Sequence, residues 1–285
     1  YGLDIDWKRE TLVVAGATEG LAACFFGFLN PGDEAIIFAP FYDSYLPVIE
    51  AAGARARIVH LEPPSWEIRA EALDAAITPA TRLIVVNTPH NPSGSVVSDA
   101  ELELLADRAR RHGLIAVCDE VYEHLLFDRR RLRPLMTLPG MRERTVRIGS
   151  AGKTFSLTGW RIGYLTGPEP LITGAMKAHQ FITYTSPPAF QHAVALGLDF
   201  PDAYYERFLA GMQERRDIMR AGLESAGFEV QPCAGTYFMT VDIRSVGYNG
   251  DDMSFCRDIT MNAKVCAVPV SAFYPQQDEK APRHY

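Results

Sequence analysis

Short apolar runs recur along the first 166 residues, and helical patterns separate them. Thr11–Ala15, Ala35–Phe38, Arg55–Leu61, Arg82–Val86, Leu114–Cys118, Thr145–Ile148 and Ile162–Thr166 read as strands. Thr18–Leu29, Tyr42–Ala52, Arg69–Ile77 and Ser98–His112 read as the helices between them. Runs this short and this apolar suit strands buried on both faces, so the expected class is α/β, with a parallel, doubly wound sheet. Local signals mark the helix ends. Asn30-Pro31-Gly32 stops the first helix, and Pro47 must kink or shorten the second. Ser98 and Glu101 form a capping-box pattern that Gly113 closes. Ligands of such sheets bind beyond the carboxyl ends of the strands. The residues that break the pattern fall there: Gly16-Ala17-Thr18, Asn87 to Gly94, Asp119 to Tyr122, and Ser150 to Lys153.

After Pro168 the alternation stops. Leu171–Tyr184, Ala189–Leu198 and Tyr204–Ala226 read as helices. Phe228–Val230, Thr236–Val241 and Val265–Val268 read as strands around a helix near Met253–Met261. The expected organisation is a large domain over residues 1–200 and a smaller α+β domain over residues 201–285. A composition of 47% hydrophobic and 22% charged residues supports a packed core rather than disorder. A net charge of −7 argues against nucleic acid as a partner. No run approaches the ~18 apolar residues of a membrane-spanning helix, so no membrane is expected. The scattered cysteines form no C-x-x-C pair, which points to a reduced, cytoplasmic chain with buried thiols. The histidines lack paired spacing, and His124 behind Asp119-Glu120 is too little for a metal site, so no metal is expected. The chain opens on YGLDIDWKRE and stops at APRHY, and it reads as a piece of a longer protein.

The stretch Thr145–Tyr164, TVRIGSAGKTFSLTGWRIGY, carries the chemistry. A strand breaks into Gly149, Ser150, Ala151 and Gly152, small residues that leave room for a bound group near the backbone. Lys153 follows, and it is either a phosphate clamp or a nucleophilic amine. Gly152-Lys153-Thr154 looks like the end of a P-loop, but the glycine a P-loop needs five positions earlier is Arg147. A Schiff-base lysine fits better, because it asks only for a partly desolvated amine near a carbonyl.

Asn91, Asp119, Tyr122 and Lys153 would meet at one sheet edge, with Arg161 nearby. An aldehyde cofactor with a pyridine ring and a phosphate suits this set. Lys153 would capture the aldehyde, and Asp119 would keep the ring nitrogen protonated. Tyr122 and Asn91 would bond the ring oxygen. Ala17 and Thr18 open a helix and would cup the phosphate with Ser150 and Arg161. Tyr42 or Phe41 would stack on the ring. Each residue alone has a plainer reading: Asp119-Glu120 as a surface or cap pair, Asn91-Pro92 as a loop, Arg161 as a surface charge, Tyr42 as core. The order and spacing of the whole set favour the site.

On VVAGATEGL, APFYDSYLPVIEAAGA, LIVVNTPHNPSG, VCDEVYEHLLFD, IGSAGKTFSLTGWRIGYLTGP and AVPVSAFY, the chain resembles the pyridoxal-phosphate aminotransferases of fold type I, class I/II. Within them it is similar to the kynurenine/glutamine transaminase and methionine aminotransferase branch. The resemblance implies a mostly parallel seven-stranded sheet, a smaller C-terminal domain and a homodimer. It implies pyridoxal 5'-phosphate as cofactor, and an L-amino acid (neutral, aromatic or sulfur-containing) and a 2-oxo acid as substrates. By resemblance Lys153 is the cofactor lysine and general base, Asp119 the ring-nitrogen partner, and Asn91 and Tyr122 the ring-oxygen contacts. Ser150, Arg161, Ala17 and Thr18 bind phosphate, and Tyr42 stacks. The family's carboxylate-binding arginine has no counterpart here, since the chain ends at His284-Tyr285 and Arg283 does not match the R-F pattern. The family's N-terminal segment is also missing from the match. Alternative functions are a cysteine-conjugate β-lyase and a non-catalytic cofactor-binding sensor.

Overall fold

A computed structural model describes residues 1–285. In chain order it contains β1 (Thr11–Val14), α1 (Ala17–Phe28), β2 (Glu34–Ala39), α2 (Tyr45–Ala51), β3 (Arg55–His60) and α3 (Ala70–Ala76). Then come β4 (Thr81–Asn87), α4 (Asp99–His112), β5 (Ile115–Asp119), β6 (Thr145–Ser150), α5 (Ala151–Thr154) and β7 (Gly163–Thr166). The remainder holds α6 (Glu169–Ile182), α7 (Pro188–Leu198), α8 (Asp202–Ser225), β8 (Glu229–Val230), β9 (Val241–Asp242) and α9 (Asp252–Asp258).

Strands β1 to β7 form one seven-stranded sheet in the order β1-β7-β6-β5-β4-β2-β3. The run from β6 to β3 is parallel, and β7 is antiparallel to both its neighbours. The expected mostly parallel α/β sheet is therefore present. Its register sets the site: Asn87 lies opposite Asp119, and Asp119 opposite Ile148, so the carboxyl ends of β4, β5 and β6 finish side by side. Helices cover the sheet, and 44 buried side chains make one continuous core. No helix is long and apolar enough to cross a membrane.

The capping box forms as expected. Glu101 N–H donates to Ser98 Oγ at 3.3 Å, and Ser98 N–H donates to Glu101 Oε2 at 2.7 Å. Gly113 closes α4 in the left-handed region at φ 65°. Pro47 shortens α2 rather than kinking it. The helix starts at Tyr45, which puts the proline in the first turn, where its missing N–H is not needed.

The C-terminal part departs from the sequence pattern. Its strands are β8 and β9, joined as Glu229–Asp242 and Val230–Val241, and a lone antiparallel bridge links Gly235 to Leu126. Val265–Val268 is not a strand, and Thr236–Thr240 runs as an irregular segment. The apolar residues that suggested strands at 265–268 are mostly exposed, with Val265 at 55% and Val268 at 64%. Without a partner strand, an apolar run has no ladder to join.

Candidate active site

Gly149 was expected to leave room for a ligand, and the structure assigns that space differently. A methyl group on Gly149 would lie 2.2 Å from the Tyr164 ring, because antiparallel β7 places Tyr164 directly opposite. The space belongs to the chain's own tyrosine. Past Ser150 the backbone turns into the short α5, and Lys153 stands on its last turn at the sheet edge. A four-residue helix is not the long helix that a P-loop feeds.

Asp119 ends β5 and is 4% exposed. The Tyr45 hydroxyl donates to its Oδ2 at 2.6 Å, while its Oδ1 is buried with no partner. Burial pushes its pKa up to about 6, against the Tyr45 hydrogen bond, the nearby Val121 amide and the charge of Lys153. Asn87 ties the neighbouring loops together. Its Nδ2 donates to Asp119 O at 2.9 Å, and its Oδ1 accepts from Asn91 N–H at 2.8 Å. Asn91 Oδ1 is likewise buried and unpartnered.

Beneath Asp119, Arg147 bonds Glu120 through Nε and Glu123 through Nη2, the latter at 2.8 Å. These buried charges fix the turn that carries Tyr122. Burial also pushes the Glu120 carboxyl up, to about 7, although Arg147 pulls the other way. His124 stacks on Tyr205 with ring centroids 4.6 Å apart.

A cup lies at the start of α1. Its N-cap, Gly16, has no side chain, so the first amides of the helix, at Ala17 and Thr18, are open to an anion. Arg161 adopts φ 54° and lays its guanidinium over Gly16: a methyl group there would lie 2.5 Å from Nη2. Thr18 and Tyr42 share a hydrogen bond of 3.1 Å, which brings the Tyr42 ring to the same cup. Glu19 braces the turn from behind, accepting from Ala15 N–H at 3.0 Å and pairing with buried His179 at 3.0 Å. Ser150 is 7% exposed at the end of β6, and its side chain makes no cap bond to α5.

Lys153 Nζ donates to the Tyr237 hydroxyl at 2.7 Å and lies 5.7 Å from the centre of the Tyr122 ring. The edge therefore gathers Asn91, Asp119, Tyr122 and Lys153, with Ala17, Thr18, Tyr42 and Arg161 at the adjoining cup. Sequence reasoning missed two contributors, Tyr45 and Tyr237, and placed Asn87 at this edge without giving it a role. Asn87 heads the NTPHNPSG run and could have been read as a tie between loops. Tyr45, one helical turn from Tyr42, could have been read as reaching the same edge. A separate cavity of about 310 Å³ shares the Tyr45 and Asn87 walls, but Asp119, Tyr122 and Lys153 do not line it.

The aminotransferase class I and II family matches residues 1–279. The chain belongs to that family. It is an enzyme of the pyridoxal-phosphate-dependent aminotransferases. The solved N-succinyldiaminopimelate aminotransferase of Mycobacterium tuberculosis superposes with a TM-score of 0.95 at 44% identity, covering 98% of this chain and 73% of that one. The methionine aminotransferase of Escherichia coli is 36% identical over 273 residues, 96% of this chain and 70% of the relative. Human kynurenine–oxoglutarate transaminase 1 is 34% identical over 312 residues, spanning this whole chain and 74% of its own length.

Two of the buried acceptors without partners, Asp119 Oδ1 and Asn91 Oδ1, lie at this edge and fit the family's cofactor, pyridoxal 5'-phosphate. A protonated ring nitrogen supplies the donor that Asp119 lacks, and a ring hydroxyl suits the Asn91 amide. The glycine-capped cup under Arg161 fits the phosphate. Gly16→Ala, which places a side chain at φ 80° against Arg161, is expected to weaken pyridoxal 5'-phosphate binding about 10- to 100-fold. Binding of unphosphorylated pyridoxal should change by less than about threefold, and fluorescence titration of both ligands measures the ratio.

Proposed function

We propose that this edge transfers an amino group between a neutral, aromatic or sulfur-containing L-amino acid and a 2-oxo acid, with Lys153 as the catalytic amine. The observation that carries the reading is the buried Asp119 carboxylate, with one oxygen free, on the same edge as the Lys153 amine. Pyridoxal 5'-phosphate, when bound, supplies an aldehyde for the amino group and a ring that draws electrons from the Cα–H bond. Asp119 accepts the ring N–H and holds that proton in place. Asn91 and Tyr122 would bond the ring oxygen, and Tyr42 would stack on the ring. Ala17, Thr18, Ser150 and Arg161 hold the phosphate. Lys153 Nζ would take the proton from the substrate Cα.

Residues 1–200 serve as the cofactor domain, and residues 201–285 as a smaller domain that lends side chains to the same edge. The separation of β8 and β9 from the main sheet supports that division. The chain works as a homodimer in the cytoplasm. Exposed Phe181, Tyr184 and Leu196, at 87%, 73% and 70%, offer apolar surface for a second copy. A second reading of the substrate, N-succinyldiaminopimelate, is favoured by the 44% identity to the Mycobacterium tuberculosis enzyme.

Borohydride reduction after loading with pyridoxal 5'-phosphate should place the label on Lys153 in a peptide map. Half-reactions with L-methionine, L-kynurenine and N-succinyldiaminopimelate, followed by loss of the near-visible absorbance, then rank the donors. A label on any other lysine removes Lys153 from its role. A rate with N-succinyldiaminopimelate more than about tenfold above the other two replaces the first substrate reading with the second.

A further inference from the structure

We propose that Tyr237 is a positioning residue that stations the free Lys153 amine. The inference rests on the reading of Lys153 as the catalytic amine and adds the group that holds it. The Tyr237 oxygen accepts from Lys153 Nζ at 2.7 Å. The Tyr122 hydroxyl also donates to it, at 3.4 Å. A phenol oxygen has two lone pairs, so it serves both donors. The Tyr237 ring meets Tyr122 edge-on, with centroids 5.3 Å apart, and this sets where the hydroxyl lies.

The segment that presents Tyr237 is clamped, not loose. Ala234 and Gly235 N–H both donate to Gly94 O at 2.9 Å, which ties the segment to the Asn91 loop. On the other side, Phe127 N–H donates to Ala234 O at 2.9 Å, and Thr236 N–H donates to Leu125 O at 3.0 Å, tying it to the Tyr122 turn. Thr236 is fully buried in the left-handed region at φ 67°, and its Oγ1 accepts from Phe238 N–H at 3.1 Å. A methyl group on Gly235 would lie 2.7 Å from both Leu125 O and Pro89 Cβ, so the segment sits against both loops. Tyr237 is thereby fixed to the two loops that carry Asn91 and Tyr122.

This placement answers a problem of the lysine side chain. Its four-carbon stem is flexible, and an amine that has let go of the cofactor can leave the edge. A fixed acceptor limits that freedom, so the amine stays within reach of the substrate Cα. Tyr237 is 46% exposed, and its hydroxyl bonds only to Lys153 and Tyr122. The hydroxyl thus serves the edge, and the packing of the segment does not depend on it.

Tyr237→Phe tests the inference, because it keeps the ring against Tyr122 and Phe238 and removes only the oxygen. The apoprotein is mixed with pyridoxal 5'-phosphate and the rate of covalent capture is followed by stopped-flow absorbance. The loaded enzyme is then assayed with L-methionine and Cα-deuterated L-methionine. The expected result is capture slowed at least fivefold, kcat lowered about 10- to 100-fold, KM within threefold, and a larger deuterium isotope effect. The thermal midpoint should stay within about 2 °C of the parent. Capture and kcat both within twofold of the parent overturn the inference, as does a kcat loss matched by equal changes in KM and thermal midpoint. Borohydride labelling of the parent separates the two readings. A label away from Lys153 overturns the proposed function, and Tyr237 with it. A label on Lys153 with an unchanged Tyr237→Phe variant overturns only the role of Tyr237.

Discussion

Lys153→Ala is expected to abolish transamination, by at least about 10⁴-fold, and to remove the near-visible absorbance of the covalently held cofactor. Two losses combine in this variant. On the proposed reading, the chain loses the amine that captures the cofactor, and it loses the base that moves the substrate proton. The cup at Ala17, Thr18 and Arg161 and the carboxylate at Asp119 stay in place, because Lys153 bonds only Tyr237. The variant should therefore still bind pyridoxal 5'-phosphate, reversibly and with the spectrum of the free aldehyde. Equilibrium dialysis alongside an absorbance scan measures both. Retained activity with a retained bound-state spectrum would show that another amine does the work.

Asp119→Asn is expected to move activity and stability in opposite directions. Activity should fall about 10²- to 10³-fold, because on the proposed reading the ring nitrogen loses its ionised partner. The apoprotein should become more stable near pH 8. Burial raises the Asp119 pKa from 3.8 to about 6, so the folded chain holds this proton more tightly than the unfolded chain does. The sign follows from linkage. The contribution favours the fold below about pH 4 and is lost as pH rises through about 6. The cost of the ionised form is on the order of 3 kcal/mol. Asparagine removes that charge and keeps an oxygen for the Tyr45 hydroxyl. Thermal midpoints of the two apoproteins should differ most at pH 8 and converge toward pH 4.5. Equal midpoints at pH 8 would mean that the carboxylate is better solvated than its burial implies.

The parts of the molecule that sequence reached are those written in local pattern. The alternation of apolar runs with helices placed the strands of the sheet, and the ends of β4, β5 and β6 marked the edge where Asn91, Asp119, Tyr122 and Lys153 meet. Ser98 and Glu101 could be read because a cap is settled within one turn. What escaped depends on contacts between distant segments. Gly149 looked like room for a ligand because nothing nearby reveals that Tyr164 will lie opposite it. Tyr237 sat inside an apolar stretch that read as a strand. Its real conformation comes from amides that bond Gly94 and Leu125, more than a hundred residues away. Val265–Val268 had strand-like residues but gained no neighbour to pair with.

The place of β1 in the sheet bears on how the enzyme is made. Thr11 to Val14 find their only ladder against Thr166 to Gly163. A ribosome must therefore deliver the whole seven-stranded sheet before the first strand can dock. The helix opening that follows this strand, and the arginine that overlies it, come together at that late moment. A nascent chain stopped short of β7 would carry both halves of the proposed anion cup without a cup to show for it, and on that reading vitamin B6 phosphate would find its anchorage only as the sheet is closed.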